Sequence, residues 1–321
     1  MNAISKITAD ADIPGTLAPG IYEGISNDAY HSGPGVSKTG LWTIYTETPA
    51  HYKFGVREEK NHFDVGTAID NAILEPELFE SQVMKGPADR RGNNWKDAVA
   101  EAANLGKLLL TAGDYEEVQT IRDAIHADPW INAIITNSKA VVQQSAYALD
   151  PVTGVLIRCR PDLRRPDLGL MIDLKSARSA HPAAFARAVL NYGYHAQEAF
   201  YTDTWNSAVG AIREPDQYVT GEEDDDGYAP TEAIKGQAIG GVEAFCFLVV
   251  EKKPPYAFAV YELPPAIVEE GRAAMRKALN TYAECVAADQ WPAYQKQRAP
   301  IELDFKHWAY RETAAPVGED A

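Results

Sequence analysis

The segment Met171-Ile172-Asp173-Leu174-Lys175, a short turn after Arg158-Cys159-Arg160-Pro161-Asp162, constrains the fold more than any other part of the chain. Apolar and charged residues alternate in it. In a strand Asp173 and Lys175 therefore share one face, while Leu174 points the other way into a core. The two segments read as a hairpin of two strands, with Asp162 leaving the first and the D-x-K triplet on the second. Two carboxylates converging beside an ammonium make a metal site with a charge partner. Mg²⁺ takes oxygen ligands, usually one or two carboxylates plus waters and a substrate phosphate. Asp162, Asp173 and the Leu174 backbone carbonyl supply such a set. The competing reading is a surface hairpin with an Asp173–Lys175 ion pair, which accounts for most isolated D-x-K triplets.

The flanking sequence bears on that choice. Pro182 starts a helix carrying Phe185, Val189 and Leu190. Gly193 should break it before Tyr194 to Val209 continues. Tyr194, Gln197 and Tyr201 then fall at i, i+3 and i+7 on one helix face, where they can hold a water or a phosphate. Lys175 is placed to orient the attacking water or to stabilise transition-state charge.

Elsewhere the chain alternates between helical and strand periods. Ser37 is a good N-cap for a helix through Leu41, Trp42 and Ile44. Ser37-Lys38-Thr39, after Gly33 and Gly35, lacks the Gly directly before Lys that a phosphate-binding loop requires, so a capped helix start is the better account. Gly66 to Leu74 is helical and places Asp70 near the apolar face, either solvated at the helix edge or directed at a cation. Two amphipathic helices fill 95–128. Val141 to Tyr147 reads as a strand, Asp150 to Gly154 as a turn and Val155-Leu156-Ile157 as the next strand. Phe245 to Val250 is a buried strand that turns at Lys252 to Pro255 into Tyr256 to Tyr261, and a helix runs from Pro264 to about Ala288. Residues 1–19 are expected to be a flexible arm, 20–295 one domain with 213–240 as an acidic mobile insertion, and 296–321 a tail. Strands flanked by helices on both sides give a mixed α/β sheet with a helical N-terminal part.

The net charge of −16 argues at first sight against a nucleic-acid partner. The acids are segregated, however: Asp216, Glu222, Glu223 and Asp224 to Asp226 crowd one loop. The site segment is locally basic, and Arg158, Arg160, Arg164, Arg165 and Arg178 are the candidate DNA-binding side chains. Cys159, Cys246 and Cys285 are scattered and cannot hold a zinc knuckle or an iron–sulfur cluster. No apolar run is long enough to span a bilayer and no signal-peptide pattern opens the chain, so a cytoplasmic protein with no membrane partner is expected.

The order Arg160-Pro161-Asp162, Asp173-Leu174-Lys175, Tyr192-Gly193-Tyr194-His195-Ala196-Gln197 and Ala199-Phe200-Tyr201 resembles the PD-(D/E)xK nuclease superfamily. Within it, the chain resembles the exodeoxyribonuclease VIII (RecE-type) exonucleases of phage and prophage recombination. Val36 to Leu41, Pro49 to Tyr52, Gly66-Thr67-Ala68 with Leu74-Glu75-Pro76, Asp150 to Gly154 and Val250 to Tyr256 also match, so the similarity runs from about Gly20 to Tyr294. It implies a restriction-endonuclease-like core and a Mg²⁺-dependent, processive 5′→3′ exonuclease acting on double-stranded DNA ends in a bacterial host cell. Mn²⁺ would be a possible substitute. The resemblance also implies a homo-oligomeric ring and a single-strand annealing protein that takes the 3′ strand. By position, Asp162 and Asp173 are metal ligands, Lys175 is catalytic, and Gln197 and Tyr201 fill the Q-x-x-x-Y motif. The family commonly has a metal-binding His where this chain has Asp70. An oxygen ligand suits Mg²⁺ at least as well, so retained activity with altered metal preference is expected. A catalytically weak DNA-end-binding module is the competing function.

Overall fold

A computed structural model describes residues 4–6, 17–56, 65–213, 240–295, 300 and 302, and the acidic 214–239 run lies outside them. The N-terminal part comprises β1 (Ile4–Lys6), β2 (Gly20–Glu23), α1 (Asn27–Ser32), β3 (Val36–Ser37), α2 (Lys38–Thr46) and α3 (Pro49–Phe54). Next come α4 (Val65–Leu74), α5 (Pro76–Gln82), β4 (Val83–Lys85), α6 (Asn93–Leu105), β5 (Leu108–Leu110), α7 (Ala112–His126) and α8 (Pro129–Ile135). The strand-rich part holds β6 (Val141–Val142), β7 (Ser145–Leu149), β8 (Leu156–Cys159), β9 (Leu163–Arg165) and β10 (Leu170–Ala177). It is followed by α9 (Pro182–Tyr192), α10 (Tyr194–Arg213), β11 (Ala244–Glu251), β12 (Phe258–Tyr261) and α11 (Pro265–Ala288).

The strands form two mixed five-stranded sheets, ordered β1-β2-β7-β8-β3 and β12-β11-β10-β9-β6, while β4 and β5 pair by themselves. In the second sheet β10 lies parallel to β11 and antiparallel to β9. Its two faces follow from the period-2 alternation. Ile172 and Leu174, with Cys246, Leu248 and Val250, pack under Ile69 and Ile73 of α4 and Val118, Ile121 and Ile125 of α7. Met171, Phe245, Phe247 and Val249 face the other way, joining Phe185, Val189 and Phe200 of the later helices and Ile157 of the first sheet. This mixed sheet flanked by helices is the α/β class expected from the sequence. The α10–α11 crossing is close: a Cβ on Gly271 would sit 2.4 Å from the His195 carbonyl oxygen.

Local signals hold at most element ends. The Ser37 hydroxyl accepts the Gly40 N–H at the start of α2, and Asp128 caps α8 just before Pro129. Two expectations are corrected. Val141 to Tyr147 is not one strand, because Gln143 takes a left-handed φ of 49° and sends β6 into the second sheet and β7 into the first. Likewise, the segment 156–159 does not form a hairpin with β10. β8 belongs to the first sheet, and β9 is the partner of β10. Within the N-terminal arm Ile4–Lys6 pairs in parallel with Ile21 to Glu23 at a sheet edge, and 7–16 lie outside the described residues.

Candidate active site

The crossing from β8 to β9 is what brings the two acids together. Leu163 pairs with Ile172 and Arg164 with Met171. One further step along that antiparallel register sets Asp162 opposite Asp173. Asp162 is half-buried and its Oδ2 accepts the Leu174 N–H at 2.8 Å. Asp173 is 2% exposed. Its Oδ1 accepts from Gln197 Nε2, and its Oδ2 takes the Lys175 ammonium in a charge-assisted contact.

Electrostatics at the pair are strained. Burial pushes the Asp162 carboxyl up to about 7, and the neighbouring Asp173 charge adds to it, against Lys175 and the Leu174 N–H. For Lys175, burial alone would lower the pKa. The carboxylates of Asp173 and Asp162 outweigh it and hold the ammonium above the ordinary lysine value. The Tyr194 ring covers that ammonium, with Nζ 4.9 Å from the ring centroid. Tyr201 is raised well above the usual phenol value, first by burial and then by Tyr30 and the two acids. Asp162, Asp173, Lys175, Tyr194, Gln197 and Tyr201 are thus gathered around one place. Leu174 contributes its N–H, with its side chain in the opposite core.

Not every expected residue joins them. Asp70 is half-buried on α4, whose apolar stripe packs on the Ile172–Leu174 face. Among the described residues no three His, Cys, Asp or Glu side chains gather into a metal-holding group. The register brings Asp162 and Asp173 together, and Asp70 makes an interaction of its own on α4. The arginine expectation is largely corrected. Arg158 is buried with its Nη atoms on the carbonyls of His31, Gly33 and Pro34. Arg160 is half-buried, bonded to Ser145 Oγ and the Ile25 carbonyl and stacked 4.1 Å from the Tyr30 centroid. Arg164 is buried against Trp205 and bonded to Gln144, and burial lowers it to about 9. Arg165 holds Asp167 and the carbonyls of Ala133 and Ile134. Buried guanidinium groups spend their donors where backbone carbonyls would otherwise be unpaired. Of the five, Arg178 alone is exposed.

One residue read only as a helix start belongs here. Lys38 is buried, and its ammonium donates to the Tyr192 carbonyl at 2.7 Å and lies 5.1 Å from the Trp42 ring centroid. Burial and the nearby Lys175 charge bring it down to about 8, against Asp173. A lysine in the first turn of a helix opposes the macrodipole, and that mismatch was the available signal.

Comparison with known proteins follows the geometry. Residues 46–222 match the model of a family described as a PDDEXK-like domain of unknown function. The chain belongs to this family. The matched span holds Asp162, Asp173, Lys175, Gln197 and Tyr201, so the acid pair and its lysine lie within the PDDEXK-like domain and the superfamily expectation holds. The chain is also similar to a crystal structure of a candidate exonuclease from Eubacterium rectale, at 12% identity and a TM-score of 0.48, over 91% of this chain and 99% of that one. No curated protein matches. No helix among the described residues is long and apolar enough to cross a membrane.

The donor set fits a divalent cation. Two opposed carboxylates form an all-oxygen pair, and burial together with the Asp173 charge raises Asp162 to about 7, a cost that a bound cation would relieve.

Proposed function

We propose that the protein is a metal-dependent exodeoxyribonuclease that digests linear double-stranded DNA from its ends, 5′→3′, and leaves 3′ single strands for an annealing protein. The observation that carries this reading is the Asp162–Asp173 pair with Lys175 at its side, inside a PDDEXK-like domain. Asp162, Asp173 and the Leu174 carbonyl would hold Mg²⁺, with Mn²⁺ as a substitute. A divalent ion bound there supplies an activated water and a counter-charge for the phosphate.

The chain's own groups do the rest. Gln197 fixes the orientation of the Asp173 carboxylate through Oδ1. Lys175 stays protonated across the working pH range and donates to a phosphate oxygen as negative charge builds there. Tyr194 shields that ammonium from water, which strengthens its attraction for the phosphate. Assembly into a homo-oligomeric ring is part of the proposal and is checked by light scattering on the purified protein.

The test is digestion of end-labelled duplex with Mg²⁺, with Mn²⁺ and with chelator. Metal-dependent nucleotide release from linear but not closed circular DNA is expected. Retention of DNA without nucleotide release would favour an end-binding module instead.

A further inference from the structure

The α9–α10 corner beside the acid pair is built rigidly and yet leaves one aromatic ring outside. Gly193 ends α9 with φ +65°, and a Cβ there would lie 2.5 Å from the Trp42 ring, so the corner rests directly on the indole. The Lys38 ammonium pins the carbonyl of Tyr192, and Gln197 N–H donates to the Gly193 carbonyl. Held this way, the Tyr192 side chain is 62% exposed. Its ring touches that of Tyr194, with centroids 5.7 Å apart and planes tilted by 33°. Tyr194 in turn covers Lys175. The exposed ring is therefore two contacts away from the Lys175 ammonium and three from the Asp173 carboxylate. Trp42 continues the rim by stacking on the exposed Tyr45.

Single exposed aromatic rings are common and mean little by themselves. This one differs because its backbone is fixed by a buried lysine and its neighbour ring lies on the catalytic ammonium. Aromatic rings interleaved with ammonium groups suit a nucleic-acid strand, whose bases stack on rings while its phosphates meet the charges. Asp173 is almost wholly buried, so a strand end whose last base is held on a ring at the rim presents its phosphodiester to the acid pair more readily than a fully paired end.

We propose that Tyr192 is the platform on which the terminal base of the strand being cut stacks, so that the protein frays the duplex end it acts on. Tyr192 is a positioning residue, and the inference rests on the nuclease reading above. A stacked base contributes about 1–3 kcal/mol, so losing the ring should slow digestion of blunt ends roughly 5- to 150-fold.

Two measurements test this on the full-length protein. In the first, blunt duplexes carrying 5-iodouracil as the last base of the 5′ or the 3′ end are irradiated with the protein in calcium buffer, and adducts are mapped by mass spectrometry. An adduct at Tyr192 from one of the two positions is expected, and its absence from both would overturn the proposal. In the second, Tyr192→Ala is compared with Tyr192→Phe on blunt ends and on ends already frayed by three mismatches. Tyr192→Ala should be slow on blunt ends only, with Tyr192→Phe close to wild type. Equal slowing on both substrates would assign Tyr192 a merely structural role and overturn the proposal. A wild-type protein that forms the Tyr192 adduct yet releases no nucleotide would refute the nuclease reading and support the stacking platform.

Discussion

Replacing Asp162 by Asn should make the metal-free protein more stable while removing its activity. Asn keeps the shape and an oxygen to accept the Leu174 N–H, but it carries no charge against Asp173. In the unfolded chain Asp162 titrates near 3.8, and in the folded protein near 7. Below about pH 4 both states hold the proton and the carboxylate costs nothing. Between about pH 4 and 7 the unfolded chain gives up its proton first, so wild-type stability falls as pH rises. Above about pH 7 the cost is complete. The shift corresponds to a ceiling of about 4 kcal/mol. Solvent reaching the half-buried side chain brings that to on the order of 2 kcal/mol. For a chain of 321 residues, such a gain is a rise in Tm of about 3 °C. Calorimetry in chelator at pH 8 should show it, and the difference should vanish near pH 4. Added Mg²⁺ should raise the Tm of wild type and leave Asp162→Asn nearly unmoved. A variant less stable than wild type at pH 8, or a difference independent of pH, would refute the opposed-carboxylate account.

Two further predictions separate charges that meet DNA from charges that hold the fold. Arg178→Ala should reduce the salt dependence of DNA binding by about one ion. Arg158→Ala should leave that slope unchanged and lower stability in urea, because it strips the His31, Gly33 and Pro34 carbonyls of their donor; the reverse pattern would contradict the assignment. Asp150 is buried and accepts from both Nη atoms of Arg276 at 2.8 and 2.7 Å and from Thr153, tying the β7–β8 turn to α11. Asp150→Ala should cost about 1–3 kcal/mol in urea unfolding, because the Arg276 left behind is half exposed and regains water, with nucleotide release per folded molecule unchanged. A loss below about 0.5 kcal/mol would mean the pair contributes no more than an exposed ion pair.

Much of the site was legible because it depends on short-range rules. Strand alternation in 171–175 separates Asp173 and Lys175 from Leu174, and the helix period puts Tyr194, Gln197 and Tyr201 on one face. The break at Gly193 follows from a residue suited to the left-handed φ it adopts. What stayed hidden depends on sheet membership and burial. β6 and β7 share one alternating pattern, and nothing in Val141 to Tyr147 says that Gln143 will divide them between sheets. The arginines made the segment look like a basic surface, although four of them satisfy carbonyls, amides and acids inside the protein. Residue type alone does not distinguish a guanidinium facing phosphate from one facing backbone. Lys38 joins the site through a contact with Tyr192, 154 residues away.

The central claim is that Asp162 and Asp173 hold a cation that cuts DNA beside Lys175. It is tested most directly by following end-labelled linear duplex in a Mg²⁺ and Mn²⁺ series with wild type, Asp173→Ala and Lys175→Ala. Metal-dependent nucleotide release by wild type alone, from variants that remain folded by circular dichroism, is the predicted result. Full digestion by either variant, or by wild type in chelator, would contradict it.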